Sequence, residues 1–408
     1  MSTVDERTLA ALRLLLRRSH LAAPDDLATL VSGAGRQLGA DRAVLYLADY
    51  DQLLLIPLNG PGVDEPAEAV TIEGTLAGRA FSDVIQHHTT GAGGAVLWTP
   101  VLDGTDRLGV LQLEFPRRDP VDEALSGGAF DVASLLAELI VTRSAYGDAV
   151  ERARRRIDMT LPAELQWQLL PPLTFVSPRV AISGILAPAA EVAGDSFDYA
   201  LNGDIAHVAV FDAMGHGLEA TLLAAVALSA LRNARRGGHD LGATVRAVDA
   251  AVAAQFPVGK FLTGIVGELD VSTGWWRWIT CGHPPALLIR EGRVVKQLDS
   301  VTGVALGLGM QADPPPMDSE RLHPGDRLLL YTDGVTEARN ARGQFFGTAR
   351  LVEFVTRQAA DGRPVAETLR RLNHAILDHH DGKLQDDATT LIVEWATDEP
   401  RRTVSALP

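Results

Sequence analysis

Residues 205–217 of the 408-residue chain read IAHVAVFDAMGHG. The mainly apolar run from Ile205 to Phe211 predicts a β-strand, and Asp212 follows directly at its end. An Asp-x-x-Gly sequence after a strand presents its carboxylate on a tight turn, beside exposed backbone carbonyls. This stretch therefore predicts a strand-built domain with an acidic site at one strand end.

Acidic residues recur beside other predicted strands in the second half of the chain, namely Asp195, Asp333, Asp386 and Asp387. Taken singly, each aspartate is more typical of a turn or a helix cap. Taken together they repel, by about 4 kcal/mol for two charges 4 Å apart at an effective dielectric of about 20. Such a cluster needs cations or raised pKa values. Oxygen ligands without cysteine or a histidine pair favour Mg²⁺ or Mn²⁺ over Zn²⁺.

Composition and charge exclude or disfavour several classes of protein. With 46% apolar and 22% charged residues, the chain is typical of a globular protein of two or three domains, which excludes a disordered scaffold. The net charge of −15 argues against nucleic acid as a partner. The single cysteine, Cys281, indicates a reducing compartment. Asp5 and Glu6 stand where a leader would have basic residues, so we expect no leader, and the longest apolar helical run, Ala220–Leu231, is too short to span a membrane. We therefore expect a cytoplasmic protein without membrane contact.

The second half, residues 173–396, is predicted to be an α+β domain. Strand candidates include Val180–Leu186, Thr263–Leu269 and Ala388–Trp395, and amphipathic helices intervene at Leu218–Arg235, Leu241–Gln255 and Val365–His379. Clusters of strands separated by helices predict antiparallel sheets packed together with the helices outside.

The first half, residues 20–145, is predicted to be an α/β domain. Strand candidates Ala95–Val101 and Leu108–Phe115 flank a turn, and the phrases Thr99-Pro100-Val101 and Gly109-Val110-Leu111-Gln112-Leu113 occur in them. This order resembles a GAF-type sensor domain, which implies a sensor of a small molecule or protein contact without naming its ligand. The polar stretch around His87-His88 and Gly91–Gly94 is interpreted as a solvated loop, in preference to a metal or phosphate site.

Between the two halves, residues 130–170 carry a regular apolar spacing of alternately four and three residues, through Val132, Leu136, Leu139, Arg143, Tyr146, Val150, Ala153 and Ile157. This 3.5-residue period is typical of a coiled-coil seam, although Arg143 interrupts it. It predicts one long connecting helix of about 48 Å from Phe130 to Leu161, and a parallel homodimer. The alternative is a long helix packed on its own domain.

Seven phrases between residues 165 and 389 stand in an order that resembles a known family. They are Leu165-Gln166-Trp167-Gln168-Leu169-Leu170-Pro171, Glu191–Asp198, Phe211–Gly217, Phe261-Leu262-Thr263-Gly264, Cys281-Gly282-His283-Pro284-Pro285, Tyr331–Glu337 and Asp386-Asp387-Ala388-Thr389. In these phrases the chain resembles the metal-dependent 2C-type (PPM) protein phosphatases, in their bacterial SpoIIE/RsbU-like branch.

The resemblance implies an antiparallel β-sandwich flanked by helices, with two Mn²⁺ or Mg²⁺ ions at one end. It implies that Asp212 bridges both ions and that the carbonyl of Ala213 adds a ligand. Asp195 would hold one ion largely through water, Asp333 and Asp386 would hold the other, and Asp387 lies next to that ligand. A water shared by the ions would attack phosphorus in line.

Two departures from the eukaryotic relatives concern the general acid and the phosphate-binding arginine. Ala213-Met214 stand where those relatives have a histidine after an Asp-Gly pair, and Ala189-Ala190 stand near the position of their arginine. His216 and His283 are candidate acids, although a loop-stabilising or packed role is more typical of each. Glu191 and Glu337 are possible supporting residues. Cys281 has no arginine at phosphatase-loop spacing, which argues against a cysteine nucleophile.

These observations favour a sensor-regulated phosphoserine/phosphothreonine protein phosphatase. The resemblance implies a small phosphorylated anti-sigma-factor antagonist as its substrate. One alternative is a catalytically silent module that binds its partner, although such a module has no physical need for so many like charges. Another is a nucleotide phosphodiesterase, which the acidic surface disfavours.

Overall fold

The computed structural model describes residues 3–60, 66–91, 93–116, 121–156, 158–187, 194–301, 303–313, 315–380 and 386–396. The chain divides into two compact units, whose boundary falls between Asp158 and Met159. The second unit thus begins before the predicted start at residue 173, and the predicted domain boundaries otherwise remain predictions.

The N-terminal unit is an antiparallel six-stranded sheet covered by helices. Its strands are β1 (Arg42–Ala48), β2 (Leu54–Pro57), β3 (Val70–Thr71), β4 (His87–Gly91), β5 (Gly94–Asp103) and β6 (Asp106–Phe115), in the order β3-β2-β1-β6-β5-β4. Its helices are α1 (Thr3–Ser19), α2 (Leu27–Leu38), α3 (Leu76–Asp83), α4 (Glu123–Ser144) and α5 (Ala149–Arg154). The mixture of helices and strands predicted for this half is confirmed, and its sheet is antiparallel.

Both faces of this sheet are buried because successive side chains of a strand point to opposite faces. In β1, Leu45 and Leu47 join the core formed with α1, α2 and α4, whereas Val44 and Tyr46 pack in a second core with Phe81 of α3. The segment at His87-His88 is the edge strand β4, paired with β5, and not the loop that we expected. Its side chains are mostly exposed, as a solvated segment requires.

The predicted long helix from Phe130 to Leu161 was wrong, because the structure divides this segment. Helix α4 ends at Ser144, α5 ends at Arg154, and a new helix, α6 (Leu161–Leu169), starts the second unit. A β-carbon at Gly147 would lie 2.8 Å from Cγ of Pro24, so this glycine allows a close approach at the first break. At the second break, the hydroxyl of Thr160 caps α6 and Pro162 occupies its first turn.

Most apolar positions of the supposed seam are core residues of the N-terminal unit. Val132, Leu136, Leu139 and Val150 are buried within it, whereas Tyr146 is 76% exposed. The alternative of helices packed on their own domain therefore describes this segment, and the predicted homodimer remains a prediction without that seam.

Leu136→Ala should lower the free energy of unfolding by about 2–5 kcal/mol, because it leaves a cavity in a packed core. Tyr146→Ala, at an exposed seam position, should change it by only about 0.5 kcal/mol. Chemical denaturation of the two variants measures both values. An equal effect at the two positions would contradict the core assignment.

Among the described residues, one helix, α4, is long enough and apolar enough to cross a membrane, judged by length and composition alone. We had not expected such a segment from the sequence. Leu136 and Ile140 of this helix are buried in the N-terminal core, and core helices of folded domains pass the same compositional test. Packing inside the unit is therefore sufficient to explain its composition.

The second unit is a sandwich of two antiparallel sheets between two helical layers. The five-stranded sheet has the order β15-β12-β11-β10-β9, and the six-stranded sheet has the order β14-β13-β16-β17-β8-β7. The strands are β7 (Thr174–Val176), β8 (Val180–Ala187), β9 (Ser196–Asn202), β10 (Ile205–Ala213), β11 (Leu262–Asp270), β12 (Trp275–Cys281), β13 (Leu287–Arg290), β14 (Arg293–Gln297), β15 (Asp318–Arg321), β16 (Arg327–Tyr331) and β17 (Ala388–Trp395). The remaining helices are α7 (Leu218–Arg236), α8 (Leu241–Gln255), α9 (Asp333–Glu337), α10 (Gly347–Ala360) and α11 (Val365–His379).

Three apolar clusters hold these four layers together. Trp276 and Leu330 belong to the core between the sheets. Phe211 packs with α7 and α8 outside the five-stranded sheet, and Leu329 packs with α9, α10 and α11 outside the other. The predicted antiparallel β-sandwich flanked by helices is confirmed.

Candidate functional site

Strand alternation directs the polar residues at one end of the sandwich toward the space between the sheets. In β10, Val208 and Val210 face the inter-sheet core, and Asp212 has the same parity. The same alternation continues from Phe197 of β9 back to Asp195, from Leu330 of β16 on to Thr332, and from Leu391 of β17 back to Asp387. Each of these four strands therefore has a polar, inward-facing residue at the same end of the sandwich, which we call the acidic edge.

Within each sheet, strand register places polar residues of neighbouring strands opposite each other. Phe211 pairs with Ser196, so the next position places Asp212 opposite Asp195. In the other sheet, the amide N–H of Thr332 donates to the carbonyl of Thr389 at 3.0 Å. The structure thus brings the predicted residues of both sheets to one edge.

The turns that carry the predicted ligands are held by close backbone approaches. A β-carbon at Gly194 would lie 2.5 Å from Cβ of Ala213, which is itself buried. A β-carbon at Gly334 would lie 1.9 Å from the carbonyl oxygen of Asp387, so only glycine allows α9 to start there. Asp333, the first residue of α9, and Asp386 are both exposed.

Asp195 is a buried carboxylate that joins the two sheets. It is 2% exposed, and its Oδ2 accepts a hydrogen bond from Oγ1 of Thr332 at 2.6 Å. Burial raises the pKa of Asp195 well above its usual value, and the carboxylates of Asp212 and Asp387 raise it further. The hydroxyl of Thr332 partly opposes that rise.

The other carboxylates of this edge also raise one another's pKa. Burial and the charges of three neighbouring carboxylates, Asp333, Asp386 and Asp387, together raise the pKa of Asp212 to about 7, and burial is the largest cause. Partial burial of its carboxyl group is likewise the largest cause that raises the pKa of Asp386 to about 6, although the residue as a whole is exposed. The charged groups that perturb Asp195, Asp212 and Asp386 are all acidic.

This donor set fits divalent cations in its chemistry. All the side-chain donors are carboxylate oxygens, and their mutual repulsion is what a bound cation would offset. Within the described residues, no three His, Cys, Asp or Glu side chains are already gathered closely enough to hold one ion. The edge is thus an acidic cluster whose side chains would have to draw together around a cation.

His283 and Cys281 are buried, packed side chains, as the sequence led us to expect. His283 is buried, with its Nδ1 2.9 Å from Oγ1 of Thr263, and burial lowers its pKa to about 4. It is therefore neutral at pH 7 and supplies no positive charge to a phosphate. His216 and Glu337 are exposed, and Glu191 lies outside the described residues.

Cys281 should be unreactive in the folded protein, because it is fully buried and burial raises the pKa of its thiol to about 12. We expect modification by a thiol reagent to be at least about a hundredfold slower than in denaturant. A time course with Ellman's reagent, calibrated by the one thiol of the denatured chain, measures this ratio. Rapid labelling of the native protein would contradict it.

Two residues of this edge were missed by the sequence analysis. Thr332 and Gln166 contact the predicted ligands, and both lie inside phrases quoted above. Their neutral side chains carried no signal of their own. The only indication available was their position: Thr332 directly precedes Asp333 in its phrase, and Gln166 lies in the first of the seven phrases.

The family match lies within this second unit. Residues 202–396 match the model of the family described as Stage II sporulation protein E (SpoIIE). Protein IcfG of Synechocystis sp. is 27% identical over 267 residues, which cover 59% of this chain and 39% of IcfG. Phosphoserine phosphatase RsbU of Bacillus subtilis is 21% identical over 271 residues, which cover 64% of this chain and 80% of RsbU.

Among solved structures, the RsbU and RsbW domains of Rv1364c from Mycobacterium tuberculosis align with a TM-score of 0.48 and 30% identity. That alignment covers 55% of this chain and 64% of the other. The chain therefore spans less than two thirds of the length of both IcfG and the Mycobacterium tuberculosis protein.

Proposed function

We propose that the protein is a metal-dependent phosphatase of phosphoserine and phosphothreonine in a partner protein, because residues 202–396 match the SpoIIE family model. The main support for the proposal is that aspartates from both sheets converge at the acidic edge and raise one another's pKa. The relative RsbU, described as a phosphoserine phosphatase, supports the same substrate class.

We assign the ligands as the family pattern implies. Asp212 would contact both of two Mn²⁺ or Mg²⁺ ions, with the carbonyl of Ala213 beside it, and Asp195 would hold one ion largely through water. Asp333 and Asp386 would hold the other ion, and Asp387 is the residue next to that ligand. When bound, the ions supply an activated water and neutralise the phosphoryl oxygens.

The chain's own groups have distinct tasks in this proposal. Thr332 fixes Oδ2 of Asp195 by its hydrogen bond. The buried thiol of Cys281 stays protonated and is therefore not the nucleophile, and the neutral ring of His283 has no proton to spare as a general acid.

The finer parts of the proposal concern regulation and partners. We propose that residues 20–145 act as a GAF-like sensor of an unidentified ligand, and that the substrate is a small phosphorylated anti-sigma-factor antagonist. The name of the relative RsbU supports phosphoserine as the group removed, and the identity of the substrate protein rests on the family resemblance alone. A homodimer and a cytoplasmic location are further parts of the proposal, which sedimentation and cell fractionation test.

The test is hydrolysis by the full-length protein with Mn²⁺, with Mg²⁺ and with EDTA. We expect cleavage of p-nitrophenyl phosphate and of a phosphoserine-containing protein with either metal, and none with EDTA. Binding of the phosphoprotein without turnover in any metal would instead support the silent partner-binding module. Cleavage of a phosphodiester such as bis-p-nitrophenyl phosphate in preference to both would support a phosphodiesterase.

A further inference from the structure

An exposed apolar surface lies on one side of the acidic edge. Its side chains are Leu218 and Leu222 of α7, which are 41% and 44% exposed, and Val258 of the loop between α8 and β11, which is fully exposed. Leu218 and Leu222 lie on the same face of α7, because residues four apart on a helix lie one above the other. We call these three residues the apolar flank.

Backbone contacts place the apolar flank next to a candidate metal ligand. Asp212 of β10 pairs with Thr263 of β11. Just beyond the ends of these two strands, the N–H of Met214 donates to the carbonyl of Phe261 at 3.2 Å. The loop that carries Val258 therefore runs beside the segment that connects Asp212 to α7.

The two sides of the acidic edge differ in charge. On the α7 side, Nζ of Lys260 donates to Oε2 of Glu219 at 2.7 Å, so these two charges offset each other and tie the loop to the first turn of α7. On the α9 side, Asp333 and Glu337 are exposed, and the charge of Glu337 helps to raise the pKa of Asp386. One side is thus apolar and close to neutral, and the other is acidic.

A protein substrate covers more than the position of the ions. A stable protein–protein interface buries about 800 Å² on each partner, so a phosphoserine at the acidic edge brings its neighbouring residues onto the surfaces beside that edge. The centre of such an interface is depleted of charged residues. Exposed apolar side chains that are grouped mark interaction sites, whereas single ones do not. The α7 side therefore suits a partner's apolar residues, and the α9 side would repel its acidic ones.

We propose that the apolar flank is the docking surface for apolar residues next to the phosphoserine of the substrate protein. The proposal rests on the proposed function and specifies its substrate, a phosphoserine with apolar rather than acidic neighbours. Leu222 and Val258 contact those neighbours and not the phosphoryl group. Their loss therefore weakens binding of the substrate and raises its KM more than it changes kcat.

The experiment uses two synthetic phosphoserine peptides, one with leucines on both sides of the phosphoserine and one with serines at those positions. Phosphate release by the full-length protein in Mn²⁺ gives KM and kcat for each peptide. In the unaltered protein, we expect the KM of the leucine peptide to be about tenfold lower, as anchoring apolar contacts provide. The double variant Leu222→Gln/Val258→Ser should lose most of that difference. Both substitutions are neutral, so a change of charge cannot account for the loss.

Val295→Ser is the matched control, because Val295 is 50% exposed but lies on β14, an edge strand of the other sheet. That variant should keep the full difference in KM. Thermal unfolding in EDTA shows whether each variant folds, and Val258→Ser alone replaces the double variant if the latter does not.

Two kinds of result separate failure of the docking surface from failure of the proposed function. Equal KM values for the two peptides in the unaltered protein, hydrolysis of neither peptide, or an undiminished preference in a folded variant of the apolar flank would overturn the docking surface. Absence of Mn²⁺-dependent hydrolysis of p-nitrophenyl phosphate by the unaltered protein would overturn the proposed function, and the docking surface with it.

Discussion

Asp212→Asn should lower metal-dependent phosphatase turnover by at least about a hundredfold, while the protein stays folded. The substitution removes the carboxylate charge that would face both cations. It should not destabilise the metal-free chain, because Asp333, Asp386 and Asp387 repel that charge and Asn removes the repulsion. Loss of activity without loss of stability is therefore the expected combination.

The measurement is kcat on p-nitrophenyl phosphate in Mn²⁺, together with thermal unfolding in EDTA. Asp204→Asn is the matched control, since Asp204 lies in the turn between β9 and β10, remote from the acidic edge, and its side chain is 64% exposed. That variant should keep full turnover. Full Mn²⁺-dependent activity in Asp212→Asn would reject the assignment of the site.

Trp276→Ala should lower the free energy of unfolding of the second unit by about 3–5 kcal/mol. Trp276 is fully buried between the two sheets, and its ring stacks on that of Trp278 with centroids 6.3 Å apart. Gly267 of the neighbouring strand leaves the space for this ring, because a β-carbon there would lie 2.2 Å from Cη2 of Trp276. Removal of the indole thus leaves a cavity that the rigid sheets cannot close.

Trp275→Ala is the control for this prediction, because Trp275 precedes it on the same strand and is 44% exposed. We expect a change of about 1 kcal/mol or less for that variant. Denaturant titration followed by circular dichroism gives both values. Similar losses at the two positions would show that Trp276 is not the centre of the sandwich core.

Much of the second unit could be predicted from local pattern. Runs such as Ile205–Phe211 are β-strands in the structure, and the carboxylate that follows lies at the sandwich edge. The reason is that strand alternation and strand ends are short-range properties, which the sequence displays directly.

The connecting segment could not be predicted in the same way. Over a few turns, a 3.5-residue seam and the 3.6-residue face of a core helix differ by only about 20° per heptad. Leu136 satisfies either pattern, and only the burial of its side chain under neighbouring helices identifies it as a core residue. Gly147 and Thr160 mark the two breaks, but each is a weak signal beside eight regularly spaced positions.

The sequence by itself determined the class of both units, the acidic character of one strand edge and the order of the residues that form it. Only the tertiary structure decided how those residues are held. Gln166 donates to a carboxylate 221 residues away, and Thr332 donates to one 137 residues away. Contacts over such separations leave no periodicity in the chain, because they arise only when the two sheets pack and bring their strand ends together.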